Sequence, residues 1–238
     1  MTVVRALKPL SLGAGFACYT GSVRVGSIRR FTLLILVGLL ACGIATAASG
    51  PWISFVDSSN GIRVSIPKSW HTVPPTVAGV QSLIAQLTKS KQTGLAQTYS
   101  SLIASAAARK QMLGYHFQAF QYSPGSSIQP DFALAFARTS RAYSAKDLAA
   151  TSTSVAKRFA SVSGSTVTKH ALVTLPSGPA AFVEGTQSAT GGLGLRTQFE
   201  VYVVAHGTLL YELSFRADAR AAGEAATFTA IARRFAFV

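Results

Sequence analysis

Eighteen consecutive uncharged residues, Phe31 to Ala48, follow Arg29 and Arg30 and close on small side chains. Basic, apolar and small-residue regions in that order are the parts of a secretory signal, so the run divides the chain before any fold is considered. Residues 1–48 read as a leader, and residues 50–238 must hold one folded domain by themselves. Ahead of the run, Met1 to Ile28 holds three further basic residues and no acidic one. That is long for the basic region of a signal, and a start on a valine codon at Val23 or Val25 is the economical reading.

Three fates of the segment stand open. Leu39-Leu-Ala-Cys42 resembles a bacterial lipobox, which is cut before the cysteine so that its thiol carries diacylglycerol; Cys42 is thus the candidate lipid-attachment residue, with Leu40 where a small side chain is commoner. Ala45-Thr-Ala47 fits ordinary signal cleavage and would release a soluble protein beginning near Ala48. Retained as a helix, the run would reach about 27 Å against a hydrocarbon core of roughly 30 Å. The domain is exported in each case, to the outer face of the cytoplasmic membrane, the cell surface or the medium.

The only cysteines are Cys18 and Cys42. No disulfide or cysteine-held metal can therefore stabilise residues 50–238, and the domain must rely on its core, unlike the small disulfide scaffolds common among secreted chains. About 190 residues suffice for one such core. From Gly50 onward 17 basic residues face 8 acidic ones, a net charge of +9. They fall in short clusters, Lys89/Lys91, Arg109/Lys110, Lys157/Arg158 and Arg233/Arg234, without the stripe or patch that nucleic acid requires. The summed field suits anionic lipid heads, wall polymers or an acidic envelope protein. The expected partners are the membrane, through the N-terminal segment or a lipid, and an envelope protein or anionic polymer; nucleic acid is not one.

Hydrophobic periodicity places the elements. Asn60-Gly61 turns into an alternating strand, Ile62, Val64 and Ile66, stopped by Pro67. Helical patterns follow over Val77 to Thr88 and Gly94 to Met112. Strands Tyr115 to Tyr122 and Phe132 to Arg138 form a hairpin. Ser144 and Asp147 make a capping box opening a helix with Leu148, Val155, Phe159 and Val162 on one face. Strands near Val167 to Thr174 and Ala180 to Thr186, a Gly191-Gly-Leu-Gly194 loop, a last hairpin and a helix from about Ala217 to Arg234 complete the order. Antiparallel strands interrupted by helices make an α+β arrangement, a twisted antiparallel β-sheet with helices packed on it.

Phe55-Val-Asp-Ser-Ser-Asn-Gly-Ile-Arg-Val-Ser-Ile-Pro67 with Trp70, then Leu175-Pro-Ser-Gly-Pro-Ala180, the hairpin to Leu209-Leu-Tyr-Glu-Leu-Ser-Phe215 and the closing Phe235-Ala-Phe237 together resemble the Mog1/PsbP-like domains. The resemblance runs over nearly all of residues 50–238, with a longer helical hairpin from Val77 to Met112. It implies an α/β/α sandwich and an exported protein, often a lipoprotein, that binds or assists rather than catalyses.

The residues themselves carry no G-x-S-x-G, H-E-x-x-H, Walker or Ca²⁺-loop motif, and Gly191-Gly-Leu-Gly194 lacks the strand-to-helix setting of a phosphate cradle. His71, His116, His170 and His206 have no ligand spacing; neither metal nor cofactor is expected. Trp52 and Trp70 read as core anchors. In the last hairpin, a three-residue loop Ala205-His206-Gly207 would place Glu200 across from Glu212 and Arg196 across from Arg216, with Phe199, Val201, Val203, Leu209, Tyr211 and Leu213 on the reverse face. Glu184 on the neighbouring strand would complete a polar cluster, Glu184, Arg196, Glu200, Glu212 and Arg216. Two close carboxylates can share a proton or divide acid and base roles; they can equally be a wet sheet face. The functional expectation is a lipid-anchored envelope binding or accessory module. The alternatives are a soluble secreted carrier, needing an apolar cavity under the Val77 to Met112 hairpin, and an envelope enzyme using Glu200 and Glu212.

Overall fold

The computed structural model describes residues 50–126, 128–188, 195–221 and 223–238. The leader, with Arg29, Arg30, Cys42 and Ala48, and the loop 191–194 lie outside the described residues.

Strand β1 (Trp52–Asp57) and β2 (Ile62–Pro67) pair across the expected Asn60-Gly61 turn. Asp57 organises that turn: its carboxylate accepts from the Ser59 backbone N–H at 2.9 Å and the Asn60 side-chain amide at 2.7 Å, while Gly61 takes φ +63°. A positive φ is cheap only for glycine. The short strand β10 (Ala236–Phe237) pairs with β2, closing a three-stranded sheet in the order β1-β2-β10. The main sheet comprises β3 (Trp70–Thr72), β4 (Phe117–Gln121), β5 (Asp131–Arg138), β6 (Ser165–Leu175), β7 (Gly178–Ser188), β8 (Arg196–His206) and β9 (Leu209–Asp218). Its order is β3-β4-β5-β9-β8-β7-β6, antiparallel throughout.

Among the described residues five helices flank it: α1 (Val77–Lys89), α2 (Thr93–Leu102), α3 (Ala106–Leu113), α4 (Ala145–Ala160) and α5 (Glu224–Ala232). Cross-strand rows decide which face each residue occupies. Phe132, Leu134, Tyr202, Leu213 and Phe215 turn to one face, against Ile62, Val64 and Ile66 of the small sheet and Phe228 and Ile231 of α5. Ala181, Val183, Phe199, Val201 and Val203 turn to the other, where α4 lays Leu148, Val155 and Phe159 on them. The Phe159 and Phe199 rings stack there at 4.4 Å. Farther along that face Phe120 meets Val80, Leu95, Tyr99 and Met112 of α1–α3. Each large side chain so buried contributes about 1.5–3 kcal/mol. Among the described residues, every fully buried member of the three clusters follows residue 61.

The α+β architecture is the expected one, and the Ser144–Asp147 capping box is present, the Asp147 N–H donating to Ser144 Oγ at 3.2 Å and the Ser144 N–H to the Asp147 carboxylate at 2.8 Å. Three elements differ. The helix expected over Gly94 to Met112 is two helices, because the Ser100 and Ser101 hydroxyls bond back to the Ala96 and Thr98 carbonyls at 2.9 and 2.7 Å and Ser105, extended at φ −130°, caps a new start. Serine favours such local bonds over helix continuation. The last helix opens at Glu224, not near Ala217, since β9 runs to Asp218 and Gly223 turns the chain at φ +91°. Val162 lies past the end of α4 and is exposed. Among the described residues no helix is long and apolar enough to cross a membrane.

Candidate functional site

The polar site is set by the register of β8 on β9, which is not the expected one. The ladder closes at His206↔Leu209, a two-residue loop led by Gly207 at φ +58°. Glu200 consequently faces Phe215, and Glu212 faces Val203. The slip from the expected pairing is odd, so it puts Glu200 and Glu212 on opposite faces of the sheet. The Glu200–Glu212 pair and the Arg196–Arg216 pair do not exist, and the row expected on one apolar face is split: Phe199, Val201 and Val203 pack under α4, whereas Leu213 and Tyr211 face α5 and the small sheet.

What does face Glu200 is Glu184, directly across on β7, with Lys169 across from Glu184 on β6. This row runs beneath α5 and, with Tyr202 and Thr229, lines a cleft of about 750 Å³. Its walls are Phe182 and Leu175 from the sheet and Ala226 and Ala230 from the helix, and Arg233 and Arg234 border it past the end of α5. Glu200 is 6% exposed and receives a hydrogen bond from the Tyr202 hydroxyl at 2.9 Å. Burial pushes its carboxyl up to about 7, the facing Glu184 adding to the rise and Tyr202 opposing it. Burial likewise holds the Tyr202 phenol above its ordinary range, and its oxygen lies 3.5 Å from the Thr229 hydroxyl. A carboxyl neutral near pH 7 both donates and accepts hydrogen bonds. The arrangement can therefore hold hydroxyl or amine groups between apolar walls.

The other expected members sit elsewhere. Arg196 is exposed on the Glu200 face but reaches Thr186 Oγ1 at 2.8 Å. Arg216, under α3 and α4, binds Asp131 of β5 across the sheet at 2.7 Å, and Glu212 lies 3.7 Å from Arg158 of α4. Beside Asp131 and Arg216 the space left among Met112, Phe120, Phe159 and Phe199 is about 60 Å³. That is far below the roughly 300 Å³ at which pockets for organic ligands begin. His116 pairs with Asp57, a contact of residues distant in sequence that no local pattern could reveal. Trp70 is a core residue, 3% exposed. Trp52 is half-buried, with the Arg234 guanidinium 3.9 Å above its ring centroid.

No family model matches the chain, and no curated protein matches it. Solved structures similar to it include cyanobacterial PsbP (CyanoP) from Synechocystis sp. PCC 6803, at 14% identity over 84% of this chain and 99% of that one, TM-score 0.46. LpqN of Mycobacterium tuberculosis, described as involved in cell envelope biogenesis, is 14% identical over 81% of this chain and 88% of that one, TM-score 0.43. A protein from Bacteroides thetaiotaomicron VPI-5482 is 11% identical over 78% of this chain, which spans about half of it (48%), TM-score 0.41. A PsbP protein thus stands among the structures similar to this chain, as the resemblance of residues 55–67, 175–180 and 235–237 implied.

Proposed function

We propose that the protein is exported, is carried on the outer face of the cytoplasmic membrane by a lipid on Cys42, and works there as a binding module without catalysis. The leader motif supports the address. The observation that carries the binding reading is the cleft under α5, where Glu184, Glu200, Tyr202 and Thr229 converge between Phe182 and the alanines of the helix. A few convergent polar groups in an apolar cleft, one with a strongly shifted pKa, are the usual marks of a ligand site. The enzyme built on Glu200 and Glu212 has no basis, since the sheet separates them. A carrier holding an apolar ligand under the α1–α3 hairpin has only about 60 Å³ to put it in.

Native mass spectrometry of the protein purified from the envelope of its host tests both halves. The expected species carries diacylglycerol on Cys42 and a bound small molecule, and the small molecule is absent from Ala230→Trp, whose indole fills the cleft. A mature chain beginning near Ala48 and found in the medium would remove the tether. A bound molecule retained equally by Ala230→Trp would remove the cleft as its site.

A further inference from the structure

A second cleft of about 550 Å³ lies where the chain leaving α5 meets the outer face of the small sheet, adjoining the first through Arg233 and Arg234. Arg63 of β2 and Arg233 and Arg234, which follow α5, line it together, with no carboxylate in its wall. All three side chains are exposed, and none has an acidic partner among the described residues. One arginine at a helix end is satisfied by the helix dipole; that accounts for neither the second nor Arg63, which comes from a strand.

The cleft is built as well as charged. Arg234 sits over Trp52, its guanidinium carbon 3.9 Å from the ring centroid, and donates to the Ala230 carbonyl at 3.1 Å, so two contacts hold it while most of its donors remain unspent. Guanidinium groups held in this way bind phosphate oxygens in pairs, with both geometry and charge. The Ser54 and Ser65 hydroxyls, 2.8 Å apart, line the floor, and Ser177 Oγ, buried and without a partner among the described residues, lines the rim. The chain also reaches the folded domain here: Trp52 opens β1, ten residues after Cys42. Those residues span at most about 35 Å, so a lipid on Cys42 keeps this cleft within reach of the headgroup layer. A tryptophan beside basic side chains is the composition that settles at membrane interfaces.

We infer that the Arg63–Arg233–Arg234 cleft binds the phosphodiester of an anionic phospholipid in the membrane that carries the protein, docking the domain with the small sheet toward the bilayer. The inference rests on the membrane location proposed above, and its test does not use the tether. Residues 50–238, without the leader, are mixed with phosphatidylglycerol or phosphatidylcholine vesicles in a Trp70→Phe background, so that Trp52 is the only indole. The expected result is binding to phosphatidylglycerol alone, with Trp52 quenched by brominated acyl chains. Arg63→Gln/Arg233→Gln/Arg234→Gln should lose affinity on the order of a hundredfold at low salt, given the usual contribution of a basic residue at an anionic surface. Lys89→Gln/Lys110→Gln/Lys146→Gln, which removes the same charge from α1, α3 and α4, should bind within a few-fold of the parent. Equal losses in the two triple variants would reduce the effect to net charge and overturn the site. Release from the vesicles by millimolar inorganic phosphate would assign the cleft to a free anion instead. Tight binding to an anionic wall polymer with none to vesicles would overturn the lipid as its ligand. Lipidation at Cys42 can fail in its own test without changing any of these readings.

Discussion

Glu200 makes stability depend on pH in a direction opposite to that of an ordinary surface carboxylate. Its pKa is about 7 when folded, because the side chain is buried, against 4.5 in the open chain. The folded state therefore holds the extra proton between those values, and stability is full below about pH 4.5 and falls as pH rises toward 7. At about 1.4 kcal/mol per unit the loss is roughly 3 kcal/mol. Glu200→Gln keeps the acceptor for Tyr202 and removes the ionisation, so its Tm should exceed the parent's at pH 8 and match it near pH 4.5. Parallel pH–Tm curves for the two proteins would dismiss this account. Asp57 works the other way: hydrogen bonds from Ser59 and Asn60 hold its carboxyl well below the usual range, and their contribution is lost only in strong acid. Both acids are visible in the sequence. The partners of Asp57 are its near neighbours in sequence, whereas the Glu184 that faces Glu200 is set by a strand pairing that no local pattern marks.

At the scale of elements, the strands and helices were legible where one face alone is buried. Ile62, Val64 and Ile66 alternate against exposed Arg63, and the Ser144–Asp147 cap announces α4. The β8–β9 register was not legible, for a physical reason. Six consecutive residues of β8, Phe199 to Val204, are buried, since helices and the small sheet cover both faces. An alternating pattern cannot mark a face when both are apolar. Gly207 then allowed two loop lengths, and only one sends Leu213 to the face of the small sheet while Phe199 stays against Phe159. Gly185 marks that same contact from β7. A Cβ there would meet the Thr166 carbonyl at 2.3 Å and the Phe199 ring at 2.6 Å, and the strand opposite is already bulged between Val167 and Lys169. Gly185→Ala should cost about 2–3 kcal/mol, as overpacked cores do, with the near-ultraviolet signal of Phe159 and Phe199 altered first. An unchanged denaturation midpoint would mean the neighbours yield more easily than this packing allows.

In the whole molecule, the small sheet has a mechanical role that follows from where the chain enters and leaves it. Trp52 lies opposite Pro67, at the end of the hairpin away from the Asn60–Gly61 turn. The chain continues from Pro67 into the large sheet, so a pull on the N-terminal side opens the hairpin from its free end, one rung after another, instead of shearing every rung together. In an optical trap, attachment at residue 50 and at the exposed Gly125, in the loop after β4 whose Gln121 pairs with Trp70, should give a short, low-force lengthening before the main rupture. A single rupture with no early step would contradict it. Only the six residues of β1 yield in that first event, and Phe55 leaves Phe117 while the fully buried members of the clusters keep their places. Trp52 goes with them, taking away the ring on which Arg234 rests. Tension on a tether would thus dismantle the arginine cleft while the Glu184–Glu200 wall under α5 stays in place, so that a strained attachment loosens the grip on the bilayer before it costs the domain its shape.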